Sequence, residues 1–356
     1  MYPLPLDFQV PLDSLLIVAS GLTRPECVLA TSNGDLHSAD WRGGVAISRT
    51  QGKPSSLISV KPYPHTGGGL ATRTEPLPHT ANEEWPLRPN GIALAKNGGY
   101  LLANLGETEG GIFSLSLEGE LDPLITHIDG QDIPPSNFVV EDRETRIWFT
   151  VSTRRIPRDR AWRADVSDGF IAVHDEKGTR IVADGLGYTN EIAFSPDGLW
   201  VYVNETYARR VSRFALHPGG VLGAKELVAQ LGPGNFPDGL VFDAFGGLWV
   251  TCIVGNRVLV VRPEGGPQAG EVQTVLDGGD AAYVAQFEAK YRAGTLTPAD
   301  TASCGQSTLG NISSLAFGGS DLRTAYLGCL LDDKIRAFPV PIAGATPLHW
   351  HFGQPV

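Results

Sequence analysis

Short apolar runs recur along this chain, each opened by a polar residue and followed by a turn and a second run that often carries Trp or Tyr. In the clearest copy, Asn190-Glu191-Ile192-Ala193-Phe194 leads through Ser195-Pro196-Asp197-Gly198 to Trp200-Val201-Tyr202-Val203. Others begin at Asp238 (Gly239-Leu240-Val241-Phe242, then Leu248-Trp249-Val250), at Asn137 (then Ile147-Trp148-Phe149) and at Asn90 (then Tyr100-Leu101-Leu102). Weaker copies begin at Glu26 and Ser313. Six repeats therefore start near residues 26, 90, 137, 190, 238 and 313, and the three closest spacings are 47, 53 and 48 residues. Further strand-like runs follow, such as Gly169 to Val173 with Thr179 to Val182, and Arg257 to Val261 with Val272 to Val275. A period near 50 with four short strands per repeat predicts an all-β, six-bladed β-propeller spanning residues 1–356 as one domain. A doubly wound α/β fold needs helices between its strands, and the gaps hold turns instead. The one convincing helix signal runs from Asp280 to Tyr291.

Alternation explains the strand interiors but not the residue that opens each one: Glu26, Asn90, Asn137, Asn190 and Asp238. In a propeller these positions share one height around the central channel. Asn and Asp also open strands simply because they favour turns, and Pro89-Asn90-Gly91 is itself a turn signal. Four such residues in register with the blades, Glu26, Asn137, Asn190 and Asp238, argue for a shared role. Carboxylates that close repel unless a cation lies between them. An all-oxygen donor set with amides suits one divalent metal ion, Ca²⁺ first, and argues against copper and zinc. Mg²⁺, Mn²⁺, Fe²⁺ and Zn²⁺ remain as substitutes.

Composition narrows the picture further. A formal net charge of −11 argues against nucleic-acid and anionic-membrane partners and favours a metal cation or a neutral small-molecule substrate. Cys27, Cys252, Cys304 and Cys329 form no C-x-x-C pair and read as small buried thiols. Neither a signal-peptide pattern nor an 18-residue apolar stretch is present, so a cytoplasmic location is the expectation. No Gly-x-Ser-x-Gly elbow points to a serine hydrolase, and Gly67-Gly68-Gly69 lacks the context of a phosphate loop. Oligomeric state is not legible.

Three stretches exceed a minimal blade: about 51–88, 153–168 and 277–311. By strand count all three emerge on the face of the polar openers and would rim that site. The first carries His65, His79 and Trp85, which read as a Pro-rich surface loop. The second carries Arg154, Arg155 and Trp162, and the third Tyr283 and Phe287. These five, with Asn90, are the candidate substrate-binding residues. An arginine here either stays solvated or grips a substrate carboxylate.

Tyr188-Thr189-Asn190-Glu191 to Gly198 and Phe236-Pro237-Asp238-Gly239-Leu240 resemble motifs of the senescence-marker-protein, gluconolactonase and luciferin-regenerating-enzyme family of six-bladed propellers, relatives of diisopropyl fluorophosphatase. The resemblance covers roughly Glu26 to Phe338. It implies a metal held by Glu26, Asn137, Asn190 and Asp238, and a lactone-hydrolysing activity in which Asp238 and Asn137 are catalytic. This chain has Thr-Asn-Glu where the family has Pro-Asn-Gly, Phe138 where Asp commonly follows the Asn, and Arg24-Pro25 before Glu26. Ile147 to Thr153 and Asn204-Glu205-Thr206 are similar to strictosidine-synthase-like propellers. That similarity keeps a non-hydrolytic enzyme, and beside it a non-catalytic ligand-binding propeller, as alternatives.

Overall fold

Six antiparallel sheets of four strands each carry the chain around a central channel. The computed structural model describes residues 2–49, 56–59, 87–265 and 267–354. The innermost strands, in order, are Val28–Ala30, Pro89–Leu94, Ser136–Glu141, Thr189–Phe194, Asn235–Phe242 and Ile312–Gly318. Each pairs with the next strand of its own blade through a short hairpin, so blade order follows chain order. This is the six-bladed propeller that the repeats predict, and the sheet residues fall where the alternation placed them.

Closure of the ring is the feature the repeats did not show. In five blades all four strands are consecutive. The sixth takes its outermost strand, Leu16–Ala19, from before the first repeat and pairs it antiparallel with Ile335–Pro339. The two ends of the chain are thus fastened in one sheet, which leaves no open seam between the first and last blades. Ser56–Ser59 forms the outer strand of the first blade, so the stretch expected as an insertion from residue 51 starts with a strand. His65, His79 and Trp85 lie outside the described residues.

Large side chains on the second strands fill the gaps between blades. Trp148, Phe149 and Trp249 are fully buried. Each indole N–H meets a carboxylate at the hairpin turn: Trp148 Nε1 donates to Asp142 at 2.7 Å, and Trp249 Nε1 to Asp243 at 2.9 Å. The rings contribute their apolar area without leaving a buried donor unmet.

The chain's last segment crosses the channel end away from the polar openers. Ala345 N–H donates to the Phe242 carbonyl at 3.0 Å, and the Trp350 carbonyl accepts from Ser32 N–H at 2.8 Å. The Phe352 ring packs on His37 and Tyr100. His349 and Pro347 line a channel cavity of about 90 Å³ together with Cys27, Glu191 and Leu240.

Two of the long connections fold onto each other. Helix α1 (Ala281–Ala293) is capped by Asp280, which accepts from Ala282 and Tyr283 N–H, and ends at Gly294 in the left-handed conformation. Phe287 and Tyr291 pack with Phe236, Tyr207 and Tyr188, and with Ala161 and Val166 of the 153–168 connection. Among the described residues no helix is long and apolar enough to cross a membrane.

Candidate metal and active site

Backbone irregularity aims the polar openers. In all five innermost strands from the second blade to the sixth, pairing with the neighbouring strand slips at the opener: between Pro89 and Ile92, Ser136 and Phe138, Thr189 and Ile192, Pro237 and Leu240, and Ile312 and Leu315. Such a bulge turns a side chain out of the ordinary alternation. In the first blade Arg24, at φ 54°, and the Pro25 turn, in which Glu26 N–H donates to the Arg24 carbonyl at 2.7 Å, deliver Glu26. Gly91 and Gly239 follow Asn90 and Asp238 because the next strand runs against them. A Cβ on Gly91 would lie 2.6 Å from Phe138 Cα, and one on Gly239 would lie 2.5 Å from the Ser313 carbonyl oxygen.

The five openers sit out of water, none more than 5% exposed, and their polar atoms divide into two groups. On the first and second blades the needs are met. Asn90 Nδ2 donates to Glu26 Oε1 at 2.7 Å and to the Asn137 carbonyl at 2.9 Å. Arg24 Nη1 donates to Glu26 Oε2 and, at 2.8 Å, to Asn90 Oδ1. On the third and fourth blades they are not: Asn137 Oδ1 and Asn190 Oδ1 are buried with no hydrogen-bond partner, although Asn190 Nδ2 donates to Thr206 Oγ1 at 3.1 Å. Orphaned buried acceptors are uncommon and call for an explanation.

Charge sharpens the same division. Burial raises the Asp238 carboxyl well above its usual range, and the nearby Glu26 adds to this, while Arg24 and the Asn190 amide pull the other way. A third carboxyl feels the charge of these two. Glu191 is buried and raised well above the carboxylate range by burial, then by Asp238 and Glu26, with only the Leu240 N–H on its Oε2 opposing. The sequence marked this position, Thr-Asn-Glu for Pro-Asn-Gly, without giving Glu191 a role; it stands where Asn90 and Asp238 are each followed by glycine.

The remaining candidate residues are in different states. Arg154 is bidentate to Asp184 at 2.8 and 2.9 Å and stacks on Phe170. Arg155 reaches Asp168 at 3.3 Å. Trp162 stacks on Tyr207 and donates to the Tyr188 hydroxyl at 3.1 Å. Phe287 is buried and packs edge-on against Phe236, so it offers no surface to a substrate. The Tyr283 hydroxyl donates to the Asp300 carbonyl at 2.5 Å and to the Ser303 carbonyl at 2.7 Å. Arg155 and Trp162 also line a cavity of about 540 Å³ against the turn after α1, and no opener lines it. Arg158, not singled out in the sequence, forms no ion pair among the described residues; its Nη1 donates to the Tyr188 hydroxyl at 3.3 Å.

The cluster suits a hard divalent cation. Among the described residues no three His, Cys, Asp or Glu side chains converge as a ready cage. The oxygens that could hold such an ion are two carboxylates and two amide oxygens, a set of the kind Ca²⁺ accepts, and the amide oxygens of Asn137 and Asn190 have no hydrogen-bond partner. Residues 68–278, more than half of the chain, match the SMP-30/Gluconolactonase/LRE-like region. The chain belongs to this family. It is 28% identical over 239 residues to the 6-deoxy-6-sulfogluconolactonase of Pseudomonas putida, a match covering 66% of this chain and 67% of that protein. It is 31% identical over 182 residues to Protein STRICTOSIDINE SYNTHASE-LIKE 13 of Arabidopsis thaliana, over 48% of this chain and 44% of that one. A gluconolactonase structure from Xanthomonas campestris superposes with a TM-score of 0.62 at 18% identity, covering 92% of this chain and 89% of that one. At that identity the likeness concerns the fold alone. The SMP-30/gluconolactonase assignment agrees with the resemblance read from the Asn190 and Asp238 motifs.

Proposed function

We propose that this chain hydrolyses a lactone, using one divalent cation, Ca²⁺ first, held by Glu26, Asn137, Asn190 and Asp238. The observation that carries the reading is the pair of buried, partnerless amide oxygens of Asn137 and Asn190, the latter residue beside the buried Asp238 carboxyl. A bound cation supplies a Lewis acid for the ester carbonyl. Asp238 takes a proton from the attacking water as the water oxygen bonds to the carbonyl carbon. It returns that proton to the ring oxygen as the C–O bond breaks, which leaves a hydroxy acid. Asn137 orients the water or the substrate through its amide. Trp162, part-exposed and backed by the buried Tyr207 and Tyr188, limits water on one side and offers its face to the apolar side of a sugar-sized ring. Asn90 acts by fixing Glu26, with which it shares a hydrogen bond. Arg154 and Arg155 already hold carboxylates, so Arg158 is the better arginine for an anionic substituent. The sulfo group in the Pseudomonas relative's name makes an acid-bearing sugar lactone the first class to try.

The match to the strictosidine-synthase-like protein supports a second reading, a non-hydrolytic enzyme on the same scaffold. One experiment separates the two. Metal content of the purified protein is measured, and a lactone panel is run with and without chelator. Lactone turnover that disappears with EDTA and returns with Ca²⁺ or Mn²⁺ supports hydrolysis. Absence of bound metal together with absence of lactone turnover rejects it.

A further inference from the structure

We infer that Arg24 is a tethered cation that competes with the metal for Glu26, holding the empty site together and yielding its place when the metal binds. The inference rests on the cluster being a cation site. Arg24 is half-buried, and one nitrogen of its guanidinium serves both Glu26 Oε2 and Asn90 Oδ1. Its plane lies over Trp41, with Cζ 4.2 Å from the ring centroid. The φ of 54° at Arg24 and the tight turn through Pro25 bring this side chain back over the carboxylate two residues later.

A guanidinium offers only donors, so it can satisfy Glu26 and Asn90 but does nothing for acceptors it does not reach. The structure shows that limit: Asn137 Oδ1 and Asn190 Oδ1 remain without partners. Arg24 therefore answers the charge of one wall of the cluster and leaves the opposite wall open. A divalent ion that completes its shell with Glu26 would bring two cationic centres onto one buried carboxylate, a costly arrangement at low effective dielectric. The Glu26 oxygen must leave Arg24, whose guanidinium keeps a stacking partner in Trp41. Metal affinity is then lower than the bare donor set would give, by the strength of the charge-assisted bond that is broken.

The test uses the full chain stripped with chelator and titrated calorimetrically with CaCl₂ and, separately, MnCl₂, comparing wild type with Arg24→Gln, Arg24→Met and Arg24→Lys. Removing a charge-assisted hydrogen bond of ordinary strength predicts roughly 10- to 100-fold tighter cation binding in the Gln and Met variants. Lys, a single ammonium that cannot hold both Glu26 and Asn90 in the same way, should gain less. Thermal melts supply the second readout. In EDTA the Gln and Met variants should melt below wild type, because Glu26 and Asp238 lose their counter-charge, and the gap should close at saturating cation. Equal or weaker cation binding by folded Arg24→Gln overturns the role of Arg24 alone. Failure of wild type and every variant to bind either cation overturns the cation site itself, and Arg24's role with it.

Discussion

Two aspartates on or just after one innermost strand show how differently this propeller treats its ends. Asp243 lies at the hairpin turn and is surrounded by donors: Phe245 N–H at 2.8 Å, Gly247 N–H at 2.9 Å, Trp249 Nε1–H at 2.9 Å and the Tyr2 hydroxyl. Asp238, five residues earlier, is nearly as buried, yet its neighbours include another carboxylate and a third carboxyl on Glu191. The far end of the channel spends its polar groups on structure. The opener end keeps some of them unmet, and a folded protein tolerates buried, unmet charge where function requires it. Burial alone does not separate the two aspartates; the count of donors does.

The sharpest way to break this comparison is to remove each carboxylate in turn. Asp238→Ala should lower lactone turnover by about 10³-fold or more, the range expected when a proton-transfer group is lost. Its melting temperature in EDTA should stay level or rise, because a carboxyl whose ionisation is opposed by burial and by Glu26 has gone. Asp243→Ala should do the reverse. It leaves the Trp249 N–H and two backbone N–H groups without an acceptor and should cost about 3 kcal/mol of stability by denaturant titration. Turnover per folded molecule should hold. If Asp238→Ala keeps wild-type turnover, or if Asp243→Ala abolishes it while fully folded, the division between the two ends is wrong.

Much of the opener end was legible because its signal is local. Asn90, Asn137, Asn190 and Asp238 each sit one or two residues before an apolar run, and these four runs recur at spacings of 47, 53 and 48 residues, which suggests a common height. What escaped depends on partners far away in sequence. Leu16–Ala19 reads as a short apolar run, and only Ile335–Pro339, more than 300 residues later, makes it a blade strand. Arg24 shows in the sequence only as part of Arg24-Pro25 before Glu26; its direction follows from a left-handed backbone and from Asn90 in the next blade. Arg154 and Arg155 look free in a loop until Asp184 and Asp168 are placed beside them. Glu191 was readable as a departure from Pro-Asn-Gly and from the glycines of other blades, a side chain where close strand packing usually asks for none.

Cation binding gives a smaller effect that sharpens the same contrast. A ligand that binds only the folded state stabilises it by about 2.7 kcal/mol at one hundred times its dissociation constant. Saturating Ca²⁺ or Mn²⁺ should therefore raise the melting temperature of the chelator-treated wild type. The increment should vanish in Asp238→Asn and Asn190→Leu, which remove donors at the opener end. It should survive in Asp243→Asn, which weakens the scaffold without touching the cluster. An increment that persists in both opener variants would place the cation elsewhere on the molecule.

The smallest effect concerns the far end and proton binding. His37 is buried there beside the Tyr100 hydroxyl, 3.1 Å from its Nδ1, and burial, helped by His349 and Arg49, pushes its pKa down to about 3. The unfolded chain holds that imidazole near its ordinary value of about 6.5. Below that value the unfolded state binds a proton that the folded state refuses, so this contribution to stability is present above pH 6.5 and is lost as pH falls toward 3. Between pH 7 and pH 5 the loss should be roughly 2 kcal/mol at most. His37→Gln keeps a polar side chain without the titration, and should flatten the stability profile over that interval by denaturant titration at several pH values. A profile that keeps its wild-type slope in His37→Gln would mean that the far end gains nothing from holding this imidazole neutral, and that the acid sensitivity arises elsewhere.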